Sequence, residues 1–173
     1  LVVPFFLEGG RYTIDDVHYV DEGGWLVPAA ETEFARDPVF GYQESDLREW
    51  VSARSGGAWS PDDVASISLA DLREGGPRKV EILLSQLADA QPCVVNAVSY
   101  RDLEVLVAGI LASELQGHCY LYRTAASFVR VRAGLEPVPL LSASDFSQQR
   151  GGLVVAGSFV GRTTAQIEEA ARL

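Results

Sequence analysis

The run Cys93-Val94-Val95-Asn96-Ala97 constrains the fold more than any other stretch of the chain. It carries no polar side chain before Asn96, the pattern of a strand buried on both faces, and such strands belong to parallel sheets covered by helices. Asp102–Gln116 then sets Leu103, Leu106, Val107, Ile110 and Leu111 on one apolar helical face and ends at Gly117. Cys119–Tyr122 reads as the next strand and Ala126–Ala133 as the next helix. After a loop-rich excursion, Leu135–Arg150, the short apolar strand Leu153–Ala156 precedes a helix from Thr163. Upstream, Leu1–Leu7 reads as a buried strand and Asp63–Leu69 as an alternating one. A helical turn, Ala70–Arg73, follows, and Pro77 opens a helix running to about Asp89. Strands alternating with helices predict an α/β fold, a parallel-sheet sandwich with helices on both faces.

One N-terminal region departs from that alternation. Val17–Val20 and Trp25–Pro28 read as a β-hairpin around Asp21-Glu22-Gly23-Gly24, and Ala29–Gln43 as an irregular excursion. Ser45 is the expected cap of a helix Asp46–Arg54 that buries Leu47, Trp50 and Val51.

With 173 residues, 47% of them hydrophobic, the chain can bury a full core. Its net charge of -10 and the absence of any Lys/Arg block argue against nucleic-acid and anionic-membrane partners. No apolar run approaches the roughly 18 residues of a membrane span. Cys93 and Cys119 have no metal or redox spacing and start predicted strands, so reduced, buried thiols and a cytoplasmic setting are expected. There is no methionine, even at position 1, and the final helix stops without a cap, which together predict a piece of a longer protein.

In open α/β sheets ligands bind beyond the carboxyl ends of the strands. That rule selects Glu8–Thr13, Asn96–Asp102, Arg123–Ser127 and Gly157–Thr164. Three of these loops pair an arginine with hydroxyl or amide groups: Arg101 with Asn96 and Ser99, Arg123 with Thr124 and Ser127, Arg162 with Ser158 and Thr163. Such a set suits a small polyhydroxy acid, with guanidinium forks for the carboxylate. Taken singly, each arginine could equally pair with an acid on so acidic a surface. Leu1–Arg11 by itself is a strand, a Gly-Gly turn and a solvated arginine.

Gly157-Ser158-Phe159-Val160-Gly161-Arg162-Thr163-Thr164 lies between a strand and a helix like a phosphate loop. It is one residue short between its glycines and has Arg162 in place of the lysine, which argues against a Walker mechanism. Its helix start leaves Ser158 and Thr163 as anion-binding candidates. His18 alternates with apolar neighbours and His118 follows a helix end, so neither reads as catalytic. Asp15-Asp16 reads as a solvated turn, and no metal-ligand cluster emerges.

PFFLEGGRYTIDDVHYV resembles the N-terminal, substrate-binding domain of the four-carbon acid sugar kinase family. FARDPVFGYQESDLREWV, NAVSYRDLEVLVAG, YLYRTAASFVRVRAG and GSFVGRTTAQIE extend the resemblance over most of the chain, in order. The resemblance implies a kinase that phosphorylates threonate, erythronate or a 3-oxo-tetronate with ATP and Mg²⁺. It also implies that residues 1–173 form the later part of that domain, without its start or the C-terminal nucleotide domain. The substrate-side positions it carries over are Arg11, Thr13, Asp102, Arg123 and Ser127, with the catalytic base unassigned. The expected partner is a small-molecule sugar acid, with a homodimer left open. A non-catalytic α/β acid-binding or regulatory module is the alternative. A nicotinamide or flavin enzyme ranks lower, because no GxGxxG follows a strand.

Overall fold

In the computed structural model, residues 1–39, 41–146, 153–158 and 160–172 are described, without the side chains of Ala143 and Arg162. The chain forms two compact units, Leu1–Leu135 and Glu136–Leu173.

The first unit is built on a four-stranded parallel sheet. Its strands are β1 (Val2–Val3), β5 (Ala65–Ile67), β6 (Cys93–Val95) and β7 (Arg123–Thr124), in the order β5-β6-β1-β7. Val2 sits opposite Val94 on one side and Arg123 on the other, while Ala65 sits opposite Cys93. Alternation along the strands sends successive side chains to opposite faces. Val3, Phe5, Ile67, Cys93 and Val95 therefore pack on one face against α2 (Leu69–Arg73), α3 (Gly76–Ser85), α4 (Tyr100–Glu114) and α5 (Ala126–Arg132). Val94 points the other way and meets Leu47 and Val51 of α1 (Leu47–Arg54). Helices thus cover both faces, as the alternation predicts.

Close packing sets the helix layer. A Cβ on Gly109 of α4 would lie 2.5 Å from Val80 Cβ of α3, so only glycine lets the two helices approach this far. Ser68 and Asp71 form a reciprocal capping box on α2.

A second, antiparallel sheet holds β2 (Arg11–Ile14), β3 (Val17–Glu22) and β4 (Trp25–Pro28) in sequence order. The chain reaches it through the Gly-Gly turn. Phe6 and Arg11 exchange backbone hydrogen bonds of 3.0 and 2.9 Å around Leu7–Gly10, and Gly10 takes a φ of +62°. Asp15 and Asp16 form the tip between β2 and β3 with φ of 49° and 64°, the left-handed pair that a two-residue hairpin requires.

The two sheets are joined at the carboxyl end of β6. Thr13 and Ala97 exchange backbone hydrogen bonds of 3.1 Å each. Asn96, buried, accepts from the Asp16 N–H at 2.8 Å and donates through Nδ2 to Asp16 Oδ1 at 2.7 Å and to the Ile67 carbonyl at 3.1 Å. Ser66 Oγ donates to the same Asp16 oxygen at 2.5 Å. Asp16, expected as a solvated turn residue, is instead the bolt of this joint.

Several boundaries differ from expectation. Only Val2–Val3 of the predicted Leu1–Leu7 strand pairs in the parallel sheet, because the chain turns at Phe6 to bridge Arg11. The predicted strand Cys119–Tyr122 pairs one step later, at Arg123–Thr124, and leaves Cys119 exposed rather than buried. Asp46, not Ser45, caps α1, accepting from the Arg48 and Glu49 N–H groups, while Ser45 Oγ accepts from Ala30. The helix expected to reach Asp89 stops at Ser85.

The second unit contains a 3₁₀ turn, Ala143–Asp145, and α6 (Gly161–Ala170). Leu153–Ala156 is exposed and forms no strand. Residues 147–152, which overlap the end of the predicted excursion, and Phe159, in the glycine-flanked loop, lie outside the described residues.

Asn96→Ala removes the side-chain hydrogen bonds of the joint, leaving the half-buried Asp16 N–H without its partner and the Asp16 carboxylate with Ser66 alone, while the backbone bonds between Thr13 and Ala97 remain. Chemical denaturation is expected to show a loss on the order of 1–3 kcal/mol, since a polar group left without its partner costs more than an average hydrogen bond contributes.

Candidate functional site

A cleft of about 380 Å³ opens at the carboxyl end of the parallel sheet. The ends of β1 and β7 floor it with Val2, Pro4, Thr124 and Ala125. The antiparallel sheet contributes Arg11 and His18, the stretch leading into α1 contributes Ala29, Tyr42 and Glu44, and α1 itself contributes Leu47 and Trp50. Arg123 lies on the β7 side.

The two arginines are held by aromatic faces. The Arg11 guanidinium carbon stands 4.4 Å from the Phe34 ring centre, and that of Arg123 stands 4.9 Å from the Trp50 ring centre. Neither forms an ion pair with a carboxylate among the described residues. A guanidinium stacked on a ring keeps its in-plane N–H donors free for an anion. This differs from Arg101, which pairs with Glu104 at 2.9 Å on an exposed helix face. Of the arginines flagged by the strand-end rule, Arg11 and Arg123 line the cleft and Arg101 is a surface pair.

Thr13 sits one layer behind. It is fully buried, and its Oγ1 lies 3.1 Å from His18 Nδ1. Burial, with the charge of Arg11 as a second cause, lowers the His18 pKa to about 4, against a small opposing effect of the Tyr12 carbonyl. His18 is therefore a neutral imidazole near pH 7. The sequence reading set it aside because it alternates with apolar residues, yet that alternation is what turns it inward, beside Arg11.

The other candidates are engaged elsewhere. Asp102 is buried at the start of α4, takes both nitrogens of an Arg73 fork at 2.9 and 3.1 Å, and accepts from Val98 N–H and Ser99 Oγ. Burial by itself would raise its pKa, but these donors, Arg73 first, outweigh it and hold the carboxyl below the usual range. Ser127 Oγ is also buried and accepts from the Leu7 N–H at 3.1 Å. It joins a cluster in which the Tyr100 hydroxyl donates to Glu8 at 2.6 Å and Arg130 stacks on Tyr100. The Tyr100 hydrogen bond, chiefly, holds the Glu8 carboxyl low. Neither Asp102 nor Ser127 lines the cleft. Ser158 and Thr163 belong to the second unit, where Thr163 Oγ1 donates to Ser158 Oγ at 2.9 Å near the start of α6. The Arg162 side chain lies outside the described residues.

Phe34 and Tyr42 had no signal in the sequence beyond their place in the irregular excursion, Glu44 lies just past it, and Trp50 reads from sequence as a buried helix residue and not as a site residue. Among the described residues no group of three His, Cys, Asp or Glu side chains gathers to hold a metal ion.

The His18 shift has a consequence for stability. Its folded pKa lies below the ordinary value, so the unfolded chain takes up the proton first as pH falls. The contribution is fully present above about pH 6.5 and is lost progressively between about 6.5 and 4, by about 3 kcal/mol at most. Denaturation of the wild type and His18→Gln across that window is expected to show a steeper acid loss in the wild type.

The family profile for the sugar-binding N-terminal domain matches residues 1–132. No curated protein matches the chain. Among solved structures, Haemophilus influenzae protein HI1011, of family DUF1537, superposes with a TM-score of 0.59 at 16% identity, over 99% of this chain and 38% of that one. A Salmonella typhimurium LT2 protein provisionally named a tRNA synthase superposes with a TM-score of 0.57 at 18% identity, over 76% of this chain and 28% of that one. The chain thus spans about a third of the length of the solved structures it matches. With a profile covering most of its length and a sheet that matches these folds, the chain belongs to the sugar-binding N-terminal domain family.

Proposed function

We propose that this chain is the substrate-binding part of an ATP-dependent kinase acting on a four-carbon sugar acid of the threonate, erythronate or 3-oxo-tetronate type. The observation that carries the reading is the cleft with two ring-stacked arginines that no described carboxylate neutralises. A sugar acid is an anion with hydroxyl groups along a short carbon chain. Arg11 and Arg123 provide forks for its carboxylate. Glu44 and the Tyr42 hydroxyl, on the same wall, can accept from or donate to its hydroxyls, and Trp50 offers an apolar face to its carbons. The cleft's volume lies near the small end of the range for ligand pockets, which suits a ligand of this size.

The residues here bind and orient; they do not complete a phosphoryl transfer. Such transfer depends on positioning and on charge stabilisation around the moving phosphoryl group. ATP and Mg²⁺ would supply that group and its counter-charge. Nothing described in this chain fits them: no carboxylate cluster is present for the cation, and the Gly157–Thr164 loop lacks the phosphate-loop lysine. Both are assigned to the nucleotide domain of a two-domain enzyme.

The test is ADP release by the intact protein over a panel of four-carbon acids. Turnover on one acid, with Arg11→Ala and Arg123→Ala each weakening its binding by on the order of 1.5–3 kcal/mol, is the expected result. Absence of turnover with every acid, alongside measurable acid binding, would favour the non-catalytic binding module. An unchanged KM in both arginine variants would return these residues to surface charges.

A further inference from the structure

We propose that His18 determines specificity in this cleft by hydrogen-bonding the hydroxyl adjacent to the substrate carboxylate; the inference rests on the acid-sugar reading above. Register places it there. On β2, Arg11 and Thr13 share a face, being two residues apart. Thr13 is directly opposite His18, and Arg11 is directly opposite Val20. His18 is therefore diagonal to Arg11 on that face, a spacing of roughly 7–8 Å between backbones that long side chains span. Both line the cleft.

The imidazole is anchored through Nδ1, and the Tyr12 backbone also reaches the ring. Nδ1 is paired with the buried Thr13 hydroxyl, while no described side-chain hydrogen bond reaches Nε2. The residue is about nine-tenths buried and lines the cleft with the small part that stays open. Thr13 holds the ring from behind and restricts its rotation, which is what a directional contact with a ligand requires. With Arg11 holding the carboxylate, the group a short step along the ligand is the carbon bearing the 2-hydroxyl. A neutral imidazole nitrogen can serve that hydroxyl as donor or acceptor.

The experiment is titration calorimetry of the intact protein with threonate and erythronate, and with 3,4-dihydroxybutanoate, which keeps the carboxylate and lacks the 2-hydroxyl. The wild type is expected to prefer a 2-hydroxy acid by roughly ten-fold. His18→Phe, which keeps the ring and removes its nitrogens, is expected to bring the ratio near one. His18→Gln, which offers a polar atom near Nε2, should recover part of it. Arg11→Ala should weaken both acids alike and leave the ratio unchanged. A preference that survives in a folded His18→Phe variant, or that Gln fails to recover in any part, overturns the proposal while the Arg11 effect keeps the cleft reading. Failure of every acid to bind the wild type overturns the cleft reading itself, and this inference with it.

Discussion

The joint between Asp16 and Asn96 is the interaction on which the site depends. A parallel sheet offers a ligand only the ends of its strands, and here those ends contribute mainly Pro4, Thr124 and Ala125 to the cleft. Arg11 and His18 come from the antiparallel sheet, a three-stranded meander. Asn96 meets it with both ends of its amide, accepting from Asp16 N–H and donating to the Asp16 carboxylate. An amide satisfied on both sides in a buried setting specifies one orientation, because any slip leaves polar groups unpaired. Register transmits that orientation along β2 and β3, so a contact at the hairpin tip fixes where Arg11 and His18 stand.

The surface of the protein explains why the arginines of the cleft are distinctive. Acids outnumber bases by ten over the chain, and exposed guanidinium groups generally find a carboxylate, as Arg101, Arg78 and Arg172 do within one helical turn. Arg11 and Arg123 avoid this by stacking on Phe34 and Trp50, which hold the cations without neutralising them. An acidic protein can thereby keep a local anion site. Phe34 covers one face of the half-buried Arg11, while Arg123 stays exposed beside Trp50.

The parallel sheet was legible because burial on both faces leaves a mark in composition: Cys93–Val95 has no polar residue, and α4 shows its apolar stripe. Boundaries were less legible where a turn, not composition, sets them, as at Phe6 and Ser85. Arg11 was visible through the glycines before it, and Arg123 through the strand-end rule. Asp102 was hard to place for a physical reason: a carboxylate at a strand end satisfies the same rule whether it meets a ligand or caps a helix, and its fork from Arg73, a residue on another helix, shows only in the structure. The excursion from Ala29 to Gln43 had no periodicity to read, so Phe34 and Tyr42 could be placed only by tertiary structure. Asp16 was hidden in the same way, since its partner Asn96 is a separate element.

His18 shows how one electrostatic fact serves both stability and recognition. A charged imidazole beside Arg11 would add a further cation to the cleft, and it would attract any anion regardless of its hydroxyls. Burial and the Arg11 charge keep the ring neutral, lowering its pKa to about 4. A neutral ring contributes direction and no net charge, so the carboxylate is left to the guanidinium groups and the hydroxyl to the imidazole. Separating charge recognition from hydroxyl recognition is what allows a small site to tell a hydroxy acid from a plain one: a polar group that loses its partner on binding carries a penalty that a long-range attraction cannot repair. The cost falls on the fold, which must hold a desolvated histidine and becomes sensitive to acid for that reason.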